Sequence, residues 1–436
     1  MEAPKLETEM PSPVELSPLE GKDFGMKGWL KRYWGFALAI VLLAIAGVVA
    51  WRVWDAAEDE RVDAVAVTLK DDLTVPFGKE VRVSDFLEDL QGSLVDDTEI
   101  DTERLGEVEV EFEYINVRNK RRKRSLVVEV IDTVAPKIYG SSLYTVNRGY
   151  NGDLTNLMMS GDDVDDTPRR EVVGKYDLDK VSDYVLEYVI TDASGNTAKQ
   201  PFTLRVVEPQ PSSGGASNSL PKLEFAEAKR LYGGEGKKMG VDVSQWQGEI
   251  DWRKVKDAGV EFAMIRVGYQ KGYGGEYVED PYFAENMRGA TEVGLPVGAY
   301  FYSYADSEEE ARAQAEWVAT KLDGFEVGLP VAFDWEDWGN FNIAGMSFWK
   351  INRVAKAFLD TIAERGAKAI IPYSGMLYGS KVYLERIWED LGHPVWLAQY
   401  YDRVTYTGEY MMWQLSCTGR VDGIAGDVDL DVWYVD

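Results

Sequence analysis

The sequence predicts an α/β chain: an irregular, TIM-like β/α-barrel of eight strands and about five helices, preceded by two small β-sandwich modules and one transmembrane helix. Three observations predict it. From Lys238 onward, apolar strand-like runs alternate with helical stretches, the pattern of a β/α-barrel. Residues 62–208 instead carry short alternating runs separated by turn signals, as β-sandwiches do. Residues 33–51 contain no charge.

Residues 1–32 are rich in Pro, Glu and Lys, the composition of a disordered tail. The uncharged run YWGFALAIVLLAIAGVVAW follows. Nineteen helical residues rise about 28 Å, close to the thickness of a hydrocarbon core. Tyr33, Trp34, Trp51 and Trp54 mark its two ends, where interfacial aromatics sit. The span is therefore read as 33–54. Lys27, Lys31 and Arg32 precede it, which predicts a cytoplasmic N-terminus and an extracellular remainder. A cleaved signal peptide is the rival reading, although its apolar region is normally only about 7–15 residues.

Alternation in VEVEFEYI and YVLEYVI is that of half-buried strands. Two modules are expected, over 62–133 and 134–208, with DTVAPKI at their junction. Asp192 to Thr197 is expected to form the last hairpin turn. Two features here invite a functional reading. Arg118 to Arg124 (RNKRRKR) is a basic cluster in an acidic chain, either a contact for anionic wall polymer or a solvated hairpin turn. Asp162, Asp163, Asp165 and Asp166 offer the hard oxygen ligands that calcium takes, or form a plain acidic loop. Residues 209–236 begin with PQPSSGGASNSL and read as a flexible linker, with a short helix as an option for 221–236.

The barrel is expected over 237–436. Its fifth helix is expected at LYGSKVYLERIWEDLG (377–392), and no helix is expected between the last strands. In such barrels chemistry sits at the C-terminal ends of the strands. The polar residues at those ends are Asp242, Tyr300, Tyr302, Asp334, Glu336, Tyr373, Tyr400, Gln414 and Asp429. Strand period two puts Asp334 and Glu336 on one face. Two adjacent carboxylates repel, so one tends to hold a proton near neutral pH. An acid beside a base is what glycosidic cleavage needs. Geometry alone leaves metal-bound carboxylate chemistry and a structural network as alternatives.

Composition narrows the chemistry. The 436-residue chain has a net charge of −28, which argues against nucleic acid as a partner. Cys417 and His393 are the only residues of their kinds. No intramolecular disulfide can form, and no zinc site of Cys and His ligands can be assembled. Acid/base work falls to carboxylates and tyrosines. Cys417 reads as a small buried residue and His393 as a loop residue. No metal and no cofactor is expected.

The stretch from about 238 to 436 resembles glycoside hydrolase family 25, the N,O-diacetylmuramidase-type lysozymes. The motifs that carry the resemblance are GVDVSQWQG (240–248), FAMIRVGY (262–269), GAYFYSY (298–304), FDWED (333–337), YSG (373–375), PVWLAQY (394–400), WQLS (413–416) and VDLDVW (428–433). Residues 62–208 resemble bacterial immunoglobulin-like modules, most clearly at DTVAPKI and TDASGNTA. The family resemblance implies hydrolysis of the β-1,4 bond between N-acetylmuramic acid and N-acetylglucosamine in peptidoglycan. It also implies Glu336 as general acid, and Asp334 as stabiliser of the anomeric charge or positioner of the substrate acetamido group. Asp242 and Asp429 match the family's other acids, with Asp431 as a same-parity neighbour of Asp429. Tyr300, Tyr302, Tyr373, Trp396, Tyr400 and Gln414 would line the sugar groove. Trp335 departs from the smaller aliphatic residue of that slot and is expected to point outward, toward the helices.

The reading that joins these parts is a membrane-anchored muramidase of a Gram-positive bacterium that remodels the wall of its own cell. Two rivals are a silent barrel serving as a wall-glycan-binding scaffold, and a released lytic enzyme. Protein partners and the physiological process are not legible.

Overall fold

The computed structural model describes residues 26–209, 221–367, 370–375, 395–400, 402–406 and 410–435. The expected tail before residue 26, the Ser/Gly-rich part of the linker, the fifth barrel helix and His393 lie outside the described residues. The chain divides into two units, one ending at Ile131 and one beginning at Asp132.

The first unit opens with helix α1, Met26–Ala64. It is longer than the expected span at both ends. The segment DAAEDERVDA after Trp54 is charged, but made of residues compatible with helix, so the helix does not stop where hydropathy does. Its stretch Trp34–Ala64 is long and apolar enough to cross a membrane, and none of it is buried. Strands β1 (Val67–Leu69), β2 (Thr74–Pro76), β3 (Leu87–Leu90), β4 (Gly92–Leu94), β5 (Gly106–Asn116) and β6 (Arg121–Ile131) follow. They form a four-stranded sheet, β2-β6-β5-β4, and a β1-β3 pair. Val108, Val110, Phe112 and Tyr114 alternate inward on β5 and pack on Leu126, Val128 and Val130 of β6.

The basic cluster lies at the expected hairpin turn, but it is paired rather than simply solvated. Asp55, Asp59 and Asp63 recur every four residues on α1, hence on one helix face. Arg118 pairs with Asp55 and Asp59, Lys120 with Asp55 and Asp59, and Arg122 with Asp59 and Asp63. Asn116 Nδ2 donates to Asp63 Oδ1 at 2.8 Å. The charge run is thus a joint between the β5–β6 hairpin and the end of the helix.

In the second unit come β7 (Lys137–Tyr139), β8 (Leu143–Asn147), β9 (Met159–Gly161), β10 (Arg169–Val173), β11 (Ser182–Thr191) and β12 (Thr197–Val207). They make the sheet β10-β11-β12-β8 and the pair β7-β9. The expected hairpin turn is present, with Thr191 opposite Thr197 and Asp192 Oδ1 accepting from the Asn196 amide.

The barrel strands are β14 (Lys237–Val243), β15 (Phe262–Gln270), β17 (Val297–Tyr302), β18 (Val331–Asp334), β19 (Ile370–Gly375), β20 (Val395–Ala398), β21 (Tyr410–Arg420) and β22 (Val428–Tyr434), with short β13 (Leu223–Glu224) and β16 (Tyr277–Glu279) alongside. Each of the eight pairs with the next, and β22 pairs back onto β14, so the ring closes. Helices α3 (Trp252–Asp257), α4 (Phe283–Glu292), α5 (Glu308–Leu322) and α6 (Phe348–Glu364) lie between strands. Strand parity separates two packing layers. Phe262, Met264, Tyr300, Ala332, Trp396 and Met412 face the barrel axis. Ala263, Ile265, Phe301, Phe333 and Trp335 face the helices. Trp335 is fully buried against Trp338 and Phe341, outward as expected.

Several features differ from expectation. Over 221–236 the short-helix option holds and the linker does not extend there. Helix α2 (Phe225–Tyr232) buries Phe225 and Ala228, one helical face, in the barrel's outer core, and β13 pairs with β21. The last strand departs from the all-parallel arrangement of a regular β/α-barrel. β22 runs antiparallel to both β21 and β14, because the seven residues 421–427 are too short for a parallel crossover. The second β module is also part of the barrel's unit. Its β9 edge packs on the segment after β18. Ser160 N donates to Asn342 Oδ1 at 3.0 Å, and Asn342 Nδ2 donates to the Met158 carbonyl at 2.8 Å. A Cβ on Gly161 would stand 2.7 Å from Phe341 and 2.9 Å from Phe348, so only glycine permits this approach. Cys417 is half-buried rather than buried.

Candidate active site

Period two along each strand turns every second residue into the barrel, and the ring brings those residues together at one mouth. A cleft of about 230 Å³ opens there. It is lined by all ten residues singled out from the sequence: Asp242, Tyr300, Tyr302, Asp334, Glu336, Tyr373, Trp396, Tyr400, Gln414 and Asp429. Two details differ from expectation. β18 ends at Asp334, so Glu336 stands two residues beyond the strand, on the loop. Asp429 reaches the mouth from the N-terminal end of an antiparallel strand, directly opposite Asp242. That reversal also explains why Asp429 and not Asp431 lines the cleft: Asp431 lies one step deeper, fully buried, and its Oδ1 accepts from Trp396 Nε1 at 2.9 Å.

Gln414 organises one wall. Its Oε1 accepts from the Tyr373 hydroxyl at 2.9 Å and from the Tyr400 hydroxyl at 2.7 Å, and its Nε2 donates to Asp242 Oδ2 at 2.6 Å. The two tyrosines fix which end of the amide faces Asp242. Tyr373 and Tyr300 both meet the Trp396 ring edge-on, at 4.8 and 5.9 Å between centroids.

The sequence reading missed four lining residues: Ser244, Trp246, Gln247 and Arg266. Arg266 shares parity with inward-facing Phe262 and Met264, a signal that was available. It is held by Asp280 through Nε at 2.9 Å. Trp246 is 77% exposed at the rim, on the turn after β14, where Ser244 Oγ accepts from the Trp246 amide.

The electrostatics follow from crowding acids in a buried place. Burial raises every carboxyl in the group. Asp242 is pushed up to about 6, with the Gln414 and Tyr300 hydrogen bonds pulling against burial. Glu336 is pushed up to about 7 by burial and then by Asp242. Asp429 is pushed up to about 9 by burial, Asp242 and Glu336. Asp334 is held well above the carboxylate range by burial and by Glu336, and Arg266 offsets part of this. Such a cluster keeps protons at neutral pH while Arg266 preserves some negative charge. It can both donate a proton and stabilise a developing cation.

Residues 241–424 match the profile of glycosyl hydrolases family 25. The chain is 31% identical over 196 residues to the uncharacterized protein YegX of Escherichia coli, covering 44% of this chain and 68% of that one. The chain belongs to glycosyl hydrolases family 25. It is therefore a glycoside hydrolase of the lysozyme type. It is 28% identical over 200 residues to lysozyme M1 of Streptomyces globisporus, covering 44% of this chain and 65% of that one. Among solved structures it is similar to the modular autolysin LytC of Streptococcus pneumoniae in complex with a synthetic peptidoglycan ligand. That likeness has 24% identity and a TM-score of 0.38, and covers 57% of this chain and 56% of LytC.

Proposed function

We propose that this protein is a membrane-anchored muramidase that hydrolyses the β-1,4 bond between N-acetylmuramic acid and N-acetylglucosamine in the peptidoglycan of its own cell. The observation that carries the reading is the cleft that Glu336 shares with Asp334, Asp242 and Asp429, where burial pushes the Glu336 carboxyl up to about 7. Glu336 gives its proton to the glycosidic oxygen as the C–O bond breaks. Asp334 stabilises the positive charge at the anomeric carbon, directly or by orienting the substrate acetamido group. Water then adds at that carbon and a proton returns to Glu336. Asp242, tied to Gln414, and Asp429 orient sugar and carboxyls. The tyrosines supply hydroxyls and ring surface for the sugar, and buried Trp396 backs Tyr300 and Tyr373. The uncharged stretch 33–51 of α1, with Lys27, Lys31 and Arg32 before it, supports a single-pass anchor with the barrel outside the cell. The two β modules, of immunoglobulin-like pattern, serve as spacers between membrane and barrel.

Mass analysis of fragments released from purified peptidoglycan by the full chain in detergent tests the reading. Fragments ending in reducing N-acetylmuramic acid are expected. Reducing N-acetylglucosamine ends would refute the bond assignment. Glycan binding without any fragments would favour a scaffold instead. Recovery of the protein from culture medium rather than membranes would refute the anchor.

A further inference from the structure

The acids of the second β module assemble in a way the sequence does not display. Asp162 does not act with its neighbours. Asp163 pairs with Lys137 at 2.9 Å. Asp165 accepts the Thr167 and Ala193 amides at 2.8 Å each. Asp166 accepts the Ser347 amide at 3.1 Å. Asp162 instead meets two carboxylates far away in sequence. Asp132 comes from the DTVAPKI segment and Asp192 from the β11–β12 turn. One carboxylate oxygen from each of the three lies within 4.8 Å of the others.

Asp162 is fully buried, and Asp132 and Asp192 are 9% and 6% exposed. None of the three has a lysine or arginine at ion-pair distance among the described residues. Asp162 Oδ1 accepts from the Val164 and Asp165 amides, both at 2.8 Å. Asp162 Oδ2 is buried with no hydrogen-bond partner at all. An unpaired buried carboxylate oxygen beside two more carboxylates is costly, and the two amides reach only the other oxygen of Asp162.

We propose that Asp132, Asp162 and Asp192 bind a hard divalent cation, with calcium preferred over magnesium. The cation completes the partnership that Asp162 Oδ2 lacks. Ligands on opposite sides of a calcium ion stand about 4.6–5.2 Å apart, and about 4.0–4.2 Å across magnesium. One oxygen from each carboxylate lies within 4.8 Å of the others, close enough for one ion to bridge all three. Loops supply all three ligands, which suits calcium's tolerance of irregular geometry over magnesium's demand for an octahedron. The site closes the module on itself, joining its first segment, its β9–β10 loop and its last hairpin. It also reaches the barrel. The Asp162 and Asp163 carbonyls each accept an amide of α6, from Phe348 and Trp349, at 2.9 Å. Ordering the 162–166 loop therefore orders the start of the helix that follows the Glu336 loop.

The test uses the full chain in detergent, stripped with chelator, then titrated with calcium chloride or magnesium chloride. Thermal unfolding and calorimetry read the binding. Wild type is expected to bind one calcium at this site, with an unfolding midpoint raised by several degrees, and magnesium to act more weakly. Asp162→Asn and Asp132→Asn are expected to lose the calcium-dependent rise. In chelator, Asp162→Asn is expected to unfold no earlier than wild type, because its amide relieves the repulsion at Oδ2. Asp163→Asn, outside the set, is expected to keep the rise. No calcium response in wild type at about millimolar concentration, the weak end for extracellular modules, overturns the proposal. So does a response of equal size in Asp162→Asn and Asp132→Asn, which would put the ion elsewhere, the acidic cleft included.

Discussion

Glu336→Gln should make the protein more stable and inactive at once, and the stability gain should depend on pH. The carboxyl of Glu336 has an ordinary value of 4.5 and is carried to about 7 in the fold, chiefly by burial. Below pH 4.5 it is protonated in both folded and unfolded chains, so the amide gains nothing. Between 4.5 and about 7 the folded protein keeps a proton that the unfolded chain has released, and wild-type stability falls as pH rises. Above about 7 the folded state holds a buried negative charge that glutamine does not carry. Each pH unit of that interval is worth about 1.4 kcal/mol, so the full difference is about 3 kcal/mol. At about 2–4 °C per kcal/mol for a domain of this size, the midpoint should rise by several degrees at pH 8 and scarcely at pH 4. The assay is thermal unfolding of the full chain and the variant from pH 4 to 9, beside release of reducing sugar from peptidoglycan. A variant less stable than wild type at pH 8, or a gain of the same size at every pH, would refute the account of a buried acid held near neutrality.

Three further outcomes follow from the same site and its supports. The pH profile of kcat/KM should decline as pH rises through about 7, where Glu336 loses the proton it must donate; a profile flat to pH 9 would remove Glu336 as the acid. Gln414→Ala should cost on the order of 2–4 kcal/mol and lower kcat/KM, because it strands the Tyr373 and Tyr400 hydroxyls and Asp242 Oδ2; unfolding and steady-state kinetics check it. Gly161→Val should destabilise the second unit by about 1–3 kcal/mol through overpacking against Phe341 and Phe348, read as a lowered calorimetric midpoint.

What the sequence displays and what it hides divide along the range of the interactions. Alternation is local, so the inward residues of the barrel strands were readable two by two, and every residue chosen on that basis lines the cleft. Arg266 obeyed the same parity and was passed over as part of an apolar run. The antiparallel β22 was also legible: no helix is expected before the last strand, and a parallel crossover usually needs one. Hydropathy marks only the uncharged part of a helix, which is why α1 outruns its expected end. Pairings between distant segments left no local mark. Nothing in RNKRRKR points to Asp55, Asp59 and Asp63, and nothing in GDDVDD points to Asp132 and Asp192. The approach of Gly161 to Phe341 and Phe348 was equally silent.

The joint between α1 and the β5–β6 hairpin bears on how such an enzyme could explore its surroundings. At 1.5 Å per residue, the ten residues from Asp55 to Ala64 of α1 extend about 15 Å beyond the expected span. They are clamped by three basic side chains rather than left as a leash. A module on a leash sweeps a hemisphere. One bolted to the end of its own helix tilts only as far as that helix tilts, and so patrols a narrow cone. The bolt is ionic and only partly sheltered from solvent, so its stiffness should fall as ionic strength rises. In the proposed membrane-anchored form, the surrounding ionic strength would thereby help to set how far the first module tilts.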